Sequence, residues 1–233
     1  MPPSVAEGPA ATAWVPHERS EERFRQFTGT LEHLRGGQSD SARGAVPITD
    51  GKWRVKYHVS RASSSKSWGI LLGVTDCSIW KQPEQKASAA IHAIFGKPEE
   101  KVLMKPQVAW GLCPSSGKLL TTHDPMKGHM QGAVVGKAIC ERAQVGSVII
   151  MEVDMAANGV EIDGVAKRDY STAWQLVRPQ CPSAPRNSLS FSVDGGPMVT
   201  TDVNLPEAVY PWAVLSWEGD AVTIVSVVRV DEQ

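Results

Sequence analysis

An excess of charge of either sign is missing from this chain. Lysine and arginine total 24 against 25 acidic residues, a formal net charge of −1, and no basic stripe stands out. Sequence-independent binding to phosphates needs clustered cations, so nucleic acid is not an expected partner. Cysteine is scarce too: Cys77, Cys113, Cys140 and Cys181 lie far apart, with no Cys-x-x-Cys pair. That spacing argues against a structural zinc site and against a disulfide framework. A reducing compartment is expected, the cytoplasm or else the nucleus. No run approaches the ~20 apolar residues that span a bilayer, and no membrane association is expected. The N-terminus has no basic-then-apolar signal pattern, and Glu7 and Glu18 argue against a transit peptide.

Catalytic constellations are absent as well. The six histidines (His17, His33, His58, His92, His123, His129) are scattered. Neither His-Glu-x-x-His nor Gly-x-Ser-x-Gly occurs. His123, Asp124 and His129 read as solvated loop residues rather than a metal cluster. The glycines of 128–136 lie in no strand-to-helix context that would cradle a phosphate. Glu152 and Asp154 alternate on one strand face, as paired glycosidase carboxylates can. Their strand reads as central, however, without the exposed aromatics of a catalytic cleft. No catalytic residue, metal or cofactor is expected.

What the chain does have is tryptophan and alternation. Eight Trp stand against four Phe and three Tyr in 233 residues that are 42% hydrophobic and 21% charged, an ordinary globular balance. Most of those indoles should be core, and some could line a recognition face. Trp53, Val55, Tyr57 and Val59 alternate with Lys52, Arg54, Lys56 and His58, a half-buried strand over 52–59. The same period of two marks 147–154 and 188–194. Asp194, Gly195 and Gly196 supply positive-φ residues for a hairpin turn. Pro211 opens a strand that is apolar on both faces. Glu218, Gly219 and Asp220 then turn the chain, and Val222, Ile224 and Val227 continue it.

Short strands joined at Gly29 and Thr30 are expected from Phe24 to Leu34. Residues 60–67 form a Ser-rich loop before a buried strand, 68–74. A strand over 108–112 meets a partner over 119–122 across the turn 114–117. Residues 1–12 read as a disordered tail. Trp14, a lone aromatic beside a polar run, reads as a surface anchor. Residues 83–95 have helix propensity and end at Gly96, so they read as an inserted helix. Residues 155–186, with Pro179, Pro182 and Pro185 at their end, read as a long hairpin or flap. One domain should then span 13–230.

Taken in order, these elements resemble a SPRY domain. Its closing phrase is similar to Leu189, Ser190 and Phe191 with Asp194 and Gly195, then Leu205 and Pro206, then Tyr210, Pro211 and Trp212, then Gly219 and Asp220. The opening from Ala13 and Trp14 through Pro16, Arg19 and Ser20 resembles the SPRY domains of SPRY/SOCS-box adaptors. Ser147 stands where the family usually has Asp, and Met151 where it has Gly. The resemblance implies an all-β, two-sheet antiparallel sandwich of the concanavalin A-like jelly-roll type, with the helix and flap as insertions. It also implies a non-catalytic module that recognises a protein or peptide partner through loops at one end of the sandwich. The expected pocket residues are Trp217, six positions after Pro211, with Glu218; Arg35, Gly36 and Gly37 in a first pocket loop; and Leu120 and Thr122. A structural subunit of a larger complex and a lectin-like glycan-binding domain are the alternatives. The family's ligase-recruiting box has no counterpart before Gln233.

Overall fold

The structure is a computed structural model that describes residues 12–35, 39–63, 69–77, 108–122, 134–135, 137–155 and 187–230. Two seven-stranded antiparallel sheets form a sandwich. In chain order the strands are β1 (Trp14–Pro16), β2 (Phe24–Phe27), β3 (Thr30–His33), β4 (Asp40–Gly44), β5 (Gly51–Arg61), β6 (Ile70–Asp76) and β7 (Ala109–Cys113). They continue as β8 (Lys118–Thr122), β9 (Val134–Val135), β10 (Val148–Met155), β11 (Ser188–Val193), β12 (Val199–Thr200), β13 (Val209–Leu215) and β14 (Ala221–Arg229). One sheet runs β1-β4-β13-β6-β7-β8-β9 and the other β12-β11-β10-β5-β14-β3-β2.

All three cleanly alternating stretches fall in the second sheet, as the neighbours β5, β10 and β11. A sheet with one wetted face produces that alternation. Val55, Tyr57, Val59, Ile149, Met151, Val153, Leu189 and Phe191 point inward and are buried. Lys52, Arg54, Lys56, Glu152 and Asp154 occupy the other face. In the first sheet β6, β7 and β13 are buried on both faces, so their sequences read as continuous apolar runs. Leu72, Val74, Leu112 and Ala213 face the second sheet. Leu71, Cys113, Leu120, Trp212 and Val214 form a second apolar cluster on the opposite face.

Several local expectations need correction. Trp14 is core, 4% exposed, with its ring 6.3 Å from that of Tyr57 and its Nε1 donating to the Gly29 carbonyl at 2.8 Å. An indole offers more apolar area than a surface site can use, and a backbone acceptor satisfies its one donor. The β2–β3 hairpin turns at Thr28 and Gly29, one residue earlier than expected; both have positive φ, the requirement of a two-residue type I′ turn. Pro211 does not open β13 but stands third in it. It is tolerated because Gly44, at the end of β4, leaves room: a Cβ there would meet the proline ring at 3.2 Å. All of the tail 1–12 but Thr12, the helix 83–95 and all of the flap 155–186 but Met155 lie outside the described residues. Met155 itself is the last residue of β10 and is fully buried.

β14 keeps Val222, Ile224 and Val227 inward although the last interval is three residues. A register shift between Ile224 and Ser226 against β5 inserts Val225, which is 48% exposed, as a bulge. The hairpin residue Asp194 (φ 49°) also ties strands together. It accepts hydrogen bonds from the Ser147 hydroxyl and the Val148 N–H, both at 2.7 Å.

Asp154 pairs directly with Ser188, so Met155 and Asn187 leave adjacent strands side by side. Replacing 156–186 with an Asn-Gly turn should therefore preserve a single cooperative transition, because loop length contributes only weakly to stability. Thermal unfolding followed by circular dichroism checks this, and loss of the cooperative transition would assign those residues to the core.

Candidate functional site

Antiparallel pairing gathers several connections at one end of the sandwich. Leu215, the last residue of β13, lies opposite Ile70, the first of β6, and β6 runs beside β7. The β13–β14 turn, the approach to β6 and the β7–β8 turn therefore sit together. The run 142–147 joins them: Ala143 N–H donates to the Pro114 carbonyl at 2.8 Å, and Gly146 N–H to the Val59 carbonyl at 2.9 Å. These segments enclose a cavity of about 460 Å³, within the ~300–1,000 Å³ usual for ligand clefts. Val59, Gly69, Ile70 and Ala143 form its buried part; Trp217, Val145, Gln144 and Arg142 are its exposed wall, with Ala62, Pro114, Ser115 and Asp220 completing it.

Asp220 organises this end. It is 1% exposed. Its Oδ1 accepts from the Ser63 N–H and hydroxyl, both at 2.9 Å, and its Oδ2 from the Trp217 N–H at 3.1 Å. A buried carboxylate is tolerable when several donors replace its water. Its backbone is held equally firmly: Asp220 N–H donates to the Trp217 carbonyl, and its own carbonyl accepts from His33 N–H. Gly219 (φ 84°) closes the turn and donates to the His33 carbonyl at 2.8 Å. Gly69 must lack a side chain, since a Cβ there would fall on the Trp217 ring and lie 2.7 Å from Asp220 Oδ2. The indole thus packs against a glycine while 43% of its surface stays exposed.

The residues expected from the sequence divide. Trp217 lines the cavity, and Glu218 is exposed at the turn beside it. Arg35 is exposed two residues beyond His33, so the chain brings it to the same end. Gly36 and Gly37 lie outside the described residues. Leu120 and Thr122 are not part of this wall. Both are buried, Leu120 in the outer apolar cluster of the first sheet and Thr122 opposite Ala109, at the far end of β7. The strand β8 runs away from the cavity after the 114–117 turn, which is why Pro114 and Ser115 take the place expected of them.

Sequence reasoning missed Asp220, Gly69 and the run 142–145. No motif marks them. The turn signal at 218–220 pointed to Asp220 only as a turn residue, and 142–145 reach the cavity through β10's position beside β5, which needs the strand order.

Charge pairs elsewhere on the sandwich are structural. Glu32 is buried and bound by Arg25 at 2.6 Å and Arg61 at 3.0 Å. The Glu152 carboxylate meets Lys52 Nζ at 2.6 Å and Arg54 Nη2 at 2.9 Å. Burial raises its pKa, but hydrogen bonds and charge from Lys52 and Arg54 together outweigh that and lower it below the ordinary value. A carboxyl whose pKa is lowered by two cations is a poor proton donor, which fits an ion-pair role for Glu152 better than that of a general acid. Among the described residues no group of three or more His, Cys, Asp or Glu is placed to hold a metal ion.

No protein-family model and no curated protein matches the chain. Solved structures similar to it include the SPRY domain of human HERC1, at 13% identity and a TM-score of 0.44 over 88% of this chain and 90% of that one. A second human SPRY domain is similar at 11% identity and a TM-score of 0.44, covering 95% and 99%. The carbohydrate-binding module CBM66 from Bacillus subtilis is similar at 7% identity and a TM-score of 0.45, covering 92% and 94%. The sandwich architecture rests on the strand pairing itself.

Two outcomes follow from this geometry. Asp220→Ala strands the Ser63 and Trp217 N–H groups and should cost about 1–3 kcal/mol in chemical denaturation. A change within a few tenths would show that the loops hold without it. Glu152, with its folded pKa lowered, adds stability above its unfolded pKa that is lost as pH falls through the folded value. Glu152→Gln should therefore cost up to about 1 kcal/mol at neutral pH and almost nothing at pH ~2, the small size reflecting half-exposed cationic partners. Denaturation curves at both pH values check the sign.

Proposed function

We propose that this chain is a non-catalytic recognition module that takes a peptide or short protein segment into the cavity beside Trp217. The observation that carries this reading is a large indole left 43% exposed in a cavity built from loops. The structure around it is otherwise tightly bonded. A rigid scaffold that presents loop residues is the usual plan of a binding domain. A tryptophan fixed in place offers wide contact area at low entropic cost, which is why binding hot spots favour it. The order of sequence elements resembling SPRY domains, and the spacing from Pro211 to Trp217, support the same reading. On it the chain is an adaptor-like SPRY module of the cytoplasm or nucleus, working alone or within a larger complex.

Peptides selected from a displayed random library supply the ligand for a test. Trp217→Ala should weaken the selected peptides by about 2 kcal/mol or more. Its cost to folding should stay well under the ~3–5 kcal/mol of a core aromatic truncation, because the ring is only half covered. A binding isotherm and a denaturation curve measure the two. Failure to select any peptide, together with binding on a glycan array, would replace this reading with the lectin-like one.

A further inference from the structure

We infer that the segment held beside Trp217 presents a single carboxylate side chain next to its apolar anchor, and that Arg142 is the group that recognises it. This deepens the reading of the cavity as a peptide site and rests on it.

Among the described residues two charged ones line the cavity, Asp220 and Arg142. Asp220 is not available to a ligand: it is buried, and its oxygens are occupied by Ser63 and Trp217 donors from the protein's own backbone and side chains. Arg142 is the opposite case. It is exposed and, among the described residues, makes no hydrogen bond and no ion pair. Most other arginines of the sandwich are engaged: Arg25 and Arg61 with Glu32, Arg54 with Glu152, and Arg229 with Asp50 at 3.0 Å. A guanidinium in a cavity wall with its five donors unused is matched best by a carboxylate, which can take two of them in parallel.

The surroundings define the rest of the ligand. Trp217 and Val145, 43% and 57% exposed, are two of the largest apolar surfaces left uncovered on the described structure, and both line the cavity with Arg142. An apolar side chain against these, with an acidic one within a few residues, satisfies the whole wall. Glu141 and Glu218 are exposed beside the cavity without lining it. They oppose further negative charge along the ligand. The wall therefore specifies one acid and not an acidic run, and repulsion of this kind sharpens selectivity.

The full chain is used to select peptides from a displayed random library, and the strongest is compared with its own Asp→Asn or Glu→Gln variant. The expected ligands share one acidic residue near an apolar one. Arg142→Gln should weaken them roughly tenfold or more, the scale of a hydrogen bond to a charged group. On Arg142→Gln, neutralising the peptide's acid should then change nothing further, which is the signature of direct contact in a double-mutant cycle. Glu141→Gln should leave affinity unchanged or slightly raised. Thermal unfolding of Arg142→Gln should match the parent, since the residue bonds to nothing described. Ligands without an acid, or equal affinity for Arg142→Gln, would overturn the role of Arg142 while leaving the cavity reading in place. A library that yields no peptide, or peptides indifferent to Trp217→Ala, would instead overturn the cavity reading.

Discussion

The inward face of β5 is the constraint on which the molecule depends. Val55, Tyr57 and Val59 are essentially solvent-free, and β10 and β14 take their registers directly from that strand. Shifting β5 by one residue would send Arg54, Lys56 and His58 into the core, so the pairing is fixed by the cost of burying charge rather than by the backbone ladder, which is indifferent to side chains. Tyr57 extends this control across the sandwich. Its hydroxyl donates to the Gly73 carbonyl of the opposite sheet at 3.4 Å, and its ring packs against Trp14, drawing the first strand into the same core.

The sequence was most legible where water touches one side of a strand. β5, β10 and β11 write their faces plainly, and the turn residues Asp194, Gly195 and Gly117 sit where positive φ is needed. The doubly buried strands could be recognised as strands, but not oriented: nothing in Leu71 or Trp212 says which sheet face it occupies. Trp14 misled because a polar run follows it from His17 while its partner, Tyr57, is remote in sequence. The site was legible in its centre and not in its assembly. Trp217 could be named from spacing. Leu120 and Thr122 were misplaced because their strand runs away from the cavity, and Arg142 was invisible because its place there depends on which strands are neighbours.

The cavity end of the sandwich combines rigidity with an exposed ring. Among the described residues the buried Asp220 has no cationic partner, and it is stabilised by hydrogen bonds from the segments that flank the cavity, Ser63 on one side and Trp217 on the other. Such a carboxylate sets geometry, and among the described lining residues it leaves the guanidinium of Arg142 as the exposed charge. Asp220 and Arg142 thus divide their tasks, one holding the walls and the other facing outward.

The bulge at Val225 has a further meaning for how this sheet can change length. On either side of it the inward residues of β14 belong to opposite parities, Val222 and Ile224 reading even-numbered and Val227 odd. The strand therefore behaves as two half-strands spliced out of phase. A single-residue insertion or deletion, ruinous in an uninterrupted strand, can be absorbed at that splice by widening or erasing the bulge, whereas over 53–59 of β5, where the pairing skips no residue of that strand, only changes of two residues keep the faces in step. β14 tolerates odd numbers at Val225, and its neighbour does so only at Ser60, which the pairing of Ala221 with Arg61 and Val222 with Val59 passes over.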